Sequence, residues 1–310
     1  MTSSPPRSTV ALRSSLNARL KAEARRRGRT PQATRLQYCF EVLYKRLFHD
    51  GDNGWMLLGG NALIIRTAGG RFTQDIDLAR TASWDSLDSL RDELSHLITQ
   101  PVENDQFTFE LLSLQPRSEP DSFGYGARTA KAKIAMRLGA DVFETISLDL
   151  TTGRHVDGPV DLVPPVPVID DPTLADLPRI PVVPIENHLA DKVCAMYELH
   201  GETGTPSTRY RDLADVVRII ARLELDAGRL GTLLNHEAAR RQTELPTTLR
   251  LPSPEWARRY GTNADDVVGI DDDLRDLESS LVFAGGCLNE ILDGTRSTGR
   301  WNPIQHAWQD

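Results

Sequence analysis

Two aspartates separated by one residue are the first candidates for chemistry in this sequence. Asp75 and Asp77 close the stretch "LGGNALIIRTAGGRFTQDIDLA", residues 58–79. On a strand, residues two apart point to the same face with Cα atoms roughly 6.5–7 Å apart. Two carboxylates so placed repel each other unless a cation lies between them. Mg²⁺ prefers oxygen ligands and often keeps water and substrate phosphates in its shell, so the pair predicts a Mg²⁺ site for phosphoryl chemistry.

A glycine pair stands ahead of the aspartates. Gly59 and Gly60 would let a triphosphate approach the backbone without meeting a Cβ atom. The glycine spacing fits neither G-x-G-x-x-G nor a P-loop, which excludes both of those nucleotide motifs. Asp149, a single acid in the apolar segment "ISLDLT", is a candidate third carboxylate. Glycines, an aspartate pair and a further strand aspartate together favour metal-assisted nucleotidyl transfer.

Two motifs resemble those of AbiEii-type nucleotidyltransferase toxins, which include the MenT enzymes of toxin–antitoxin systems. The first motif matches at Gly59, Gly60, Ala62, Leu63, Arg71, Thr73, Asp75 and Asp77. The second, in "IENHLADKVCAM" and "RYRDLADVV", matches at Lys192, Arg211, Asp212 and Asp215. Asn61 departs from the small residue or threonine common after the glycine pair. The resemblance spans roughly residues 55–220 and leaves both ends of the chain uncovered.

The resemblance implies an α+β fold of the polymerase-β-like nucleotidyltransferase type: a mixed sheet with flanking helices, followed by a mainly helical C-terminal half. It implies Mg²⁺-dependent transfer of NMP from an NTP to the 3′ end of tRNA, which would block aminoacylation and translation. The implied catalytic residues are Asp75, Asp77, Lys192 and Asp212. The expected substrate contacts are Gly59, Gly60, Arg71, Thr73 and Arg211, and the expected metal ligands are Asp75, Asp77 and Asp149.

The resemblance also implies a cognate antitoxin. In similar toxins, a kinase-like antitoxin can phosphorylate the serine or threonine that corresponds to Thr73. A phosphate beside two carboxylates would repel an incoming triphosphate, so the charge change would suit a switch. A threonine that makes one ordinary hydrogen bond is the alternative interpretation.

The chemistry of the second motif agrees with these roles. Lys192 offers a compact positive charge suited to a triphosphate, although a surface lysine is the alternative. Asp212 could orient Lys192 or a metal-bound water; it could also be an acid near the positive end of a helix. Asp215 lies three residues further on and could share that face.

Periodicity indicates the elements that position these residues. Helices are expected at 8–28 and from Thr30-Pro31 onward, with a short strand and helix around the glycine pair. Strands are expected in "RFTQDIDLA", "FTFELLSLQ", "ARTAKAKIAMRLG" and "FETISLDLT". We predict four regions: a basic helical arm at 1–50, a nucleotidyltransferase core at 51–157, a proline-rich linker at 158–184, and a helical domain at 185–310 that contributes to the active site.

Charge is distributed unevenly along the 310 residues. The chain carries −8 overall, yet eleven lysines and arginines face two glutamates before Asp50, which gives that arm +9 and leaves −17 for the remainder. A local basic segment can bind a polyanion, so the arm predicts contacts with tRNA phosphates through Arg25, Arg26, Arg27 and Arg29. A solvated arginine-rich helix face is the alternative.

Composition excludes other classes of protein. The sequence contains neither a run of eighteen apolar residues nor a secretory h-region, and its three cysteines are scattered, so we expect a cytoplasmic protein with buried free thiols. Its histidines lack metal-ligand spacing, which argues against zinc. Two other functions stay open at this point: a small-molecule nucleotidyltransferase of the aminoglycoside type, and a non-enzymatic nucleic-acid-binding regulator.

Overall fold

The computed structural model describes residues 8–49, 51, 53–69, 72–117, 128–153, 155–201, 203–264 and 271–310, without the side chains of 262–264. The α-helices of these ranges are α1 Thr9–Arg26, α2 Pro31–Leu47, α3 Gly59–Thr67, α4 Leu87–Thr99, α5 Ile185–Tyr197, α6 Tyr210–Arg222, α7 Ala227–Arg241, α8 Trp256–Ala264 and α9 Leu277–Leu292. The strands of the main sheet are β1 Met56–Leu57, β2 Asp75–Ala79, β3 Phe107–Pro116, β4 Thr129–Leu138, β5 Asp141–Thr151, β6 Asp161–Val163 and β7 Ile180–Val182.

The seven strands form one mixed sheet in the order β3-β4-β5-β2-β1-β7-β6. β2 pairs in parallel with β5, and β1 pairs in parallel with β7, while the other neighbours are antiparallel. Alternation along β2 buries Ile76 and Leu78 and leaves Asp75 and Asp77 on the other face. The predicted α+β architecture is confirmed, with its mixed sheet, flanking helices and mainly helical second half.

The two N-terminal helices are part of the first hydrophobic core. Ser8 and Thr30 cap α1 and α2, each accepting a backbone N–H three residues ahead, as the sequence predicts for Thr30. Leu16 and Leu20 of α1 lie in the same buried cluster as the sheet residues. α2 is buried along almost its whole length. The predicted basic arm is therefore built into the nucleotidyltransferase core, because its apolar stripe needs the sheet as a partner.

The proline-rich segment is more than the extended linker that its sequence predicts. It carries β6 and β7, and Val182 of β7 pairs with Leu57 of β1 inside the sheet. Apolar β-branched residues between the prolines, such as Ile180 and Val182, are fully buried there. The segment crosses the first half and ends where α5 begins at Ile185.

The second half forms its own hydrophobic cluster from α5 to α9. After α5, the short strands β8 Leu199–His200 and β9 Thr205–Pro206 pair with each other. A three-stranded sheet joins β10 Leu225–Asp226 to the C-terminal strands β11 Arg300–Asn302 and β12 Ala307–Gln309. Trp301 donates its indole N–H to the carbonyl of Ile220 at 2.8 Å, so it packs against α6. The predicted burial of Cys39, Cys194 and Cys287 as free thiols is confirmed. Within the part of the chain described above, no helix is long and apolar enough to cross a membrane.

Candidate active site

One cavity of about 260 Å³ collects most of the residues expected to act together. Its walls come from both halves of the chain: the α3 start, β2 and β5 on one side, and the α5 and α6 helices on the other. The lining residues are Leu58, Gly59, Gly60, Thr73, Asp75, Asp77, Asp149, Thr151, Val183, His188, Asp191, Lys192, Arg209 and Asp212.

Three carboxylates share the sheet face of this cavity. Asp77 of β2 lies directly opposite Asp149 of β5 in the parallel ladder, and Asp75 lies opposite Ser147. Because strand residues two apart share a face, all three aspartates point away from the core, which the intervening Ile76 and Leu148 fill. The predicted grouping of Asp149 with the aspartate pair is what the ladder register produces.

Gly59 lies against the second aspartate of the pair. A Cβ atom added at Gly59 would sit 2.1 Å from Oδ2 of Asp77, and the residue has a φ of +61°. Both the clash and the left-handed backbone demand glycine. The glycine pair forms the start of α3, so the helix begins two residues earlier than the sequence predicted.

α3 is also tied to the strand of the pair through the backbone. The amide of Asn61 donates from Nδ2 to the carbonyl of Asp75 at 2.6 Å, and the N–H of Leu58 donates to the carbonyl of Asp77 at 2.9 Å. Asn61 departs from the similar toxins, and its buried amide provides a fixed hydrogen bond behind the carboxylates. These bonds set the distance between the glycines and the aspartates.

Lys192 contributes the cation of the cavity. Its Nζ donates to Oδ1 of Asp212 at 3.1 Å and to Oδ2 of Asp215 at 2.6 Å, and all three side chains are buried. The surface alternative for Lys192 is wrong, because only 6% of its side chain is exposed. The predicted partnership of Lys192 with Asp212 is present, and Asp215 does share that face.

His188 lies one helical turn before Lys192 and was not selected from the sequence. It lines the cavity and is buried, and neither ring nitrogen has a hydrogen-bond partner among the described residues. Burial, followed by the charge of Lys192, lowers its pKa to about 3, so the ring is neutral. The i, i+4 spacing to Lys192 is the signal that could have identified it, since metal-ligand spacing alone does not.

Several other predictions find a definite place. Thr73 precedes the strand, whose ladder begins at Asp75, yet it is buried in the same cavity, and its Oγ1 has no hydrogen-bond partner in the described ranges. Arg71 lies outside the described residues. Arg209 lines the cavity 3.6 Å from Asp212, in the place predicted for Arg211, which is exposed at the start of α6. An α-helical turn advances by 3.6 residues, so neighbours two apart on it point in different directions.

The edge of the cavity beyond Asp149 is basic. Lys131 of β4 is opposite Asp149 in the ladder and its Nζ lies 3.5 Å from Oδ1. Arg117 approaches Oδ2 of the same carboxylate at 3.7 Å, and both basic side chains are about half exposed. Basic side chains therefore lie directly beside the carboxylates, on the strand next to β5 and at its edge.

The donor set of the cavity fits a hard divalent cation such as Mg²⁺. Asp75, Asp77 and Asp149 supply only oxygen ligands, and Asp77 and Asp149 are neighbours across one ladder rung. In the described ranges, no group of three histidine, cysteine or acidic side chains is closed tightly enough to hold a metal on its own. Mg²⁺ usually binds through one or two carboxylates and completes its shell with water and substrate phosphates, which matches an open set of this kind.

Comparison with known proteins defines the class. The model of the nucleotidyl transferase AbiEii toxin family, of type IV toxin–antitoxin systems, matches residues 41–286. The chain belongs to this family. Its fold is similar to that of the nucleotidyltransferase toxin MenT4 of Mycobacterium tuberculosis, with a TM-score of 0.52 and 18% identity over 91% of this chain and 99% of that one.

A second solved structure, JHP933 of Helicobacter pylori, gives a TM-score of 0.43 and 16% identity over 86% of this chain and 94% of that chain. Among the curated proteins compared, none matches the sequence. Family membership makes this chain a nucleotidyltransferase toxin of a toxin–antitoxin system, for which an antitoxin is the implied partner.

Proposed function

We propose that this toxin transfers NMP from an NTP to the 3′ end of tRNA with Mg²⁺ as its cofactor. The observation that carries the proposal is that one cavity brings together Lys192 and three carboxylates, those of Asp75, Asp77 and Asp149. Gly59 lies so close to the Asp77 carboxylate that no larger residue fits there. A cavity of this kind offers oxygen ligands on one wall and a buried cation on the other.

The proposed reaction is an in-line displacement. The terminal 3′ hydroxyl oxygen of the acceptor forms a bond to the α-phosphorus while the bond from that phosphorus to the bridging oxygen breaks. Pyrophosphate leaves, and the hydroxyl proton passes to a carboxylate of the cavity. Mg²⁺, when bound by Asp75 and Asp77, would neutralise phosphate charge and orient the reacting oxygens.

Lys192 has a specific place in this proposal. Its ammonium group is held by Asp212 and Asp215 at hydrogen-bond distance, so its position is fixed before substrate arrives. A fixed cation stabilises charge that develops on the pyrophosphate without reorganising during the reaction. Arg209, at the rim beside Asp212, would add a second positive group for the phosphates.

The acceptor would approach over basic surface. Lys131 and Arg117 stand next to Asp149, and an RNA backbone could follow them to the reacting centre. The arginines predicted for tRNA contact are less available than their sequence suggests, because Arg26 and Arg27 both donate to Glu23 at hydrogen-bond distance. Arg25 remains exposed on the same helix.

A single assay tests the proposal. Purified protein is incubated with Mg²⁺, each labelled NTP and either total tRNA or an aminoglycoside mixture. We expect label on tRNA, no label on the aminoglycosides, and no transfer when Mg²⁺ is chelated. Labelled aminoglycoside would replace the RNA acceptor with a small molecule, and absence of any labelled product would contradict the enzymatic proposal.

Matched variants connect the assay to the cavity. Asp149→Asn and Asp77→Asn keep the side-chain shape and remove a metal-binding charge, so we expect transfer to fall at least a hundredfold. Asp141→Asn changes an exposed aspartate at the other end of the same strand as Asp149 and should leave transfer unchanged. Near wild-type transfer by Asp77→Asn would remove the carboxylates from the mechanism.

A further inference from the structure

A second cavity lies behind the catalytic strand and has no role in nucleotidyl transfer as proposed above. Its volume is about 370 Å³, larger than that of the active-site cavity and within the range of small-molecule sites. It is bounded by the end of α1, by α2, by α3 and by the proline-rich segment. Its apolar walls are Phe40, Ile64, Ile65, Ala68, Pro165 and Val166.

One end of this second cavity is cationic. Arg26, Arg27 and Arg29 line it, and the first two share the carboxylate of Glu23. Arg29 differs: it is partly buried, and its Nη1 donates to the neutral amide oxygen of Gln37 at 2.8 Å. A partly desolvated guanidinium bonded to a neutral amide would bind an anion strongly, since charge-assisted hydrogen bonds are the stronger kind.

The acid that lines this cavity with Arg29 does not serve as that anion. Glu41 lines the same cavity, but its two oxygens accept hydrogen bonds from Gln37 Nε2 at 3.0 Å and from the backbone N–H of Val168 at 2.8 Å. Burial raises its pKa to about 8, so most of it is protonated at neutral pH. The positive charge of Arg29 is left to a ligand.

Tyr44 supplies an independent sign of a ligand. Its side chain is 2% exposed, it lines the second cavity, and its hydroxyl has no hydrogen-bond partner within the described residues. A buried hydroxyl without a partner costs free energy, and native proteins usually satisfy such groups. An oxygen acceptor on a bound molecule would satisfy this one.

We propose that the second cavity is a binding site for a small organic acid. The ligand would have an apolar body that packs on Phe40 and Ile64, a carboxylate that pairs with Arg29, and an oxygen acceptor for Tyr44. The site would also touch catalysis, because Asn61 lines it and donates to the carbonyl of Asp75. The proposal does not rest on nucleotidyl transfer, since binding can be measured without NTP or tRNA.

The test compares two probes that differ at the anionic end. 4-Phenoxybutyrate and 4-phenoxybutanol share an aromatic body and an ether oxygen, and each is titrated against the full-length protein by saturation-transfer NMR. We expect saturable binding of the acid and at least tenfold weaker binding of the alcohol. Arg29→Gln should weaken the acid at least tenfold, as loss of a charge-assisted hydrogen bond implies.

A second variant and a control keep the test decisive. Ile64→Trp fills the cavity from a position that is only partly buried and should prevent binding, while Arg25→Gln, on the same basic segment but outside the cavity, should leave it unchanged. Thermal melting checks that each variant is folded. The proposal is overturned by equal binding of alcohol and acid, by no saturable binding at millimolar concentration, or by unchanged acid affinity in both Arg29→Gln and Ile64→Trp.

Discussion

Replacing His188 with leucine should change how stability depends on pH. The pKa of His188 falls from 6.5 to about 3 in the folded protein, so below pH 6.5 the unfolded chain takes up a proton that the folded chain does not. The stability of the wild type therefore decreases as pH falls from 6.5 toward 3, by about 1.4 kcal/mol per pH unit for this group. His188→Leu removes that loss, and it also removes two ring nitrogens that have no hydrogen-bond partner in the described part of the chain.

The effect is measured as the change, between two pH values, in the stability difference between His188→Leu and wild type. Between pH 7.5 and pH 5.5, the stability of His188→Leu relative to wild type should rise by about 1.4 kcal/mol, and other titrating groups cancel in the comparison. Urea denaturation at both pH values measures it. His96→Leu, a change of an exposed histidine on α4, is the control and should show no such rise.

The same variant should bind NTP more weakly. If an imidazole N–H donates to the nucleotide, its loss costs about 1 kcal/mol, or roughly fivefold in affinity. Stability curves of His188→Leu and wild type that stay parallel across this pH range would refute the buried neutral ring. Unchanged NTP affinity in a variant with the expected pH behaviour would confine His188 to the cavity wall.

Three further variants test other contacts. Gly59→Ala should abolish transfer, because the new Cβ atom would displace Asp77. Gly54→Ala is the control: Gly54 has a φ of +79° and no described atom within 4 Å of the new Cβ, so the change should cost only about 1 kcal/mol of stability and keep activity. Equal transfer by both variants would contradict the close approach of Gly59 to Asp77. Glu41→Gln should gain between about 2 and 3 kcal/mol relative to wild type from pH 5.5 to pH 7.5 in urea denaturation, because the folded pKa of about 8 makes wild-type stability fall as pH rises from 4.5 to 8. A constant difference between the two proteins would contradict the buried acid. Thr73→Glu should fail to bind NTP in an affinity titration, because it adds a negative charge to a cavity already lined by carboxylates. Thr73→Ser is the control and should bind NTP normally. NTP binding by the glutamate variant would contradict a charge switch at Thr73.

The sequence predicted the features that follow from the periodicity of a single strand. Alternation along β2 and β5 was enough to put Asp75, Asp77 and Asp149 on one face, since strand periodicity fixes that face. Strand periodicity could not show that Val182 joins the sheet, because its partner Leu57 is far away in the sequence and no local pattern indicates such a pairing. The proline content of the segment also suggested a linker, yet Pro181 itself lies in β7, opposite Leu162 of β6.

The helical half contains the other partial success. The motif identified Lys192 and Asp212, and their contact follows from two packed helices. Metal-ligand spacing does not identify His188, because its ring is isolated from hydrogen-bond partners among the described residues only by tertiary packing. The helices α4 and α8 and the small sheet of β10, β11 and β12 were not predicted either, since elements this short depend on tertiary packing for much of their stability.

The active-site cavity is built from two hydrophobic clusters, and this division affects how the toxin folds during its synthesis on the ribosome. The carboxylates and glycines are made before residue 150, but Lys192 and its partners follow on α5 and α6, and Leu63 of α3 packs in the cluster of the later helices. A nascent chain that has folded only its sheet half therefore holds the carboxylate wall of the cavity without Lys192, the cation that faces it. The cavity stays incomplete until α6 has left the exit tunnel, so the interval between the emergence of β5 and that of α6 is a period in which a partner can bind before the enzyme is active.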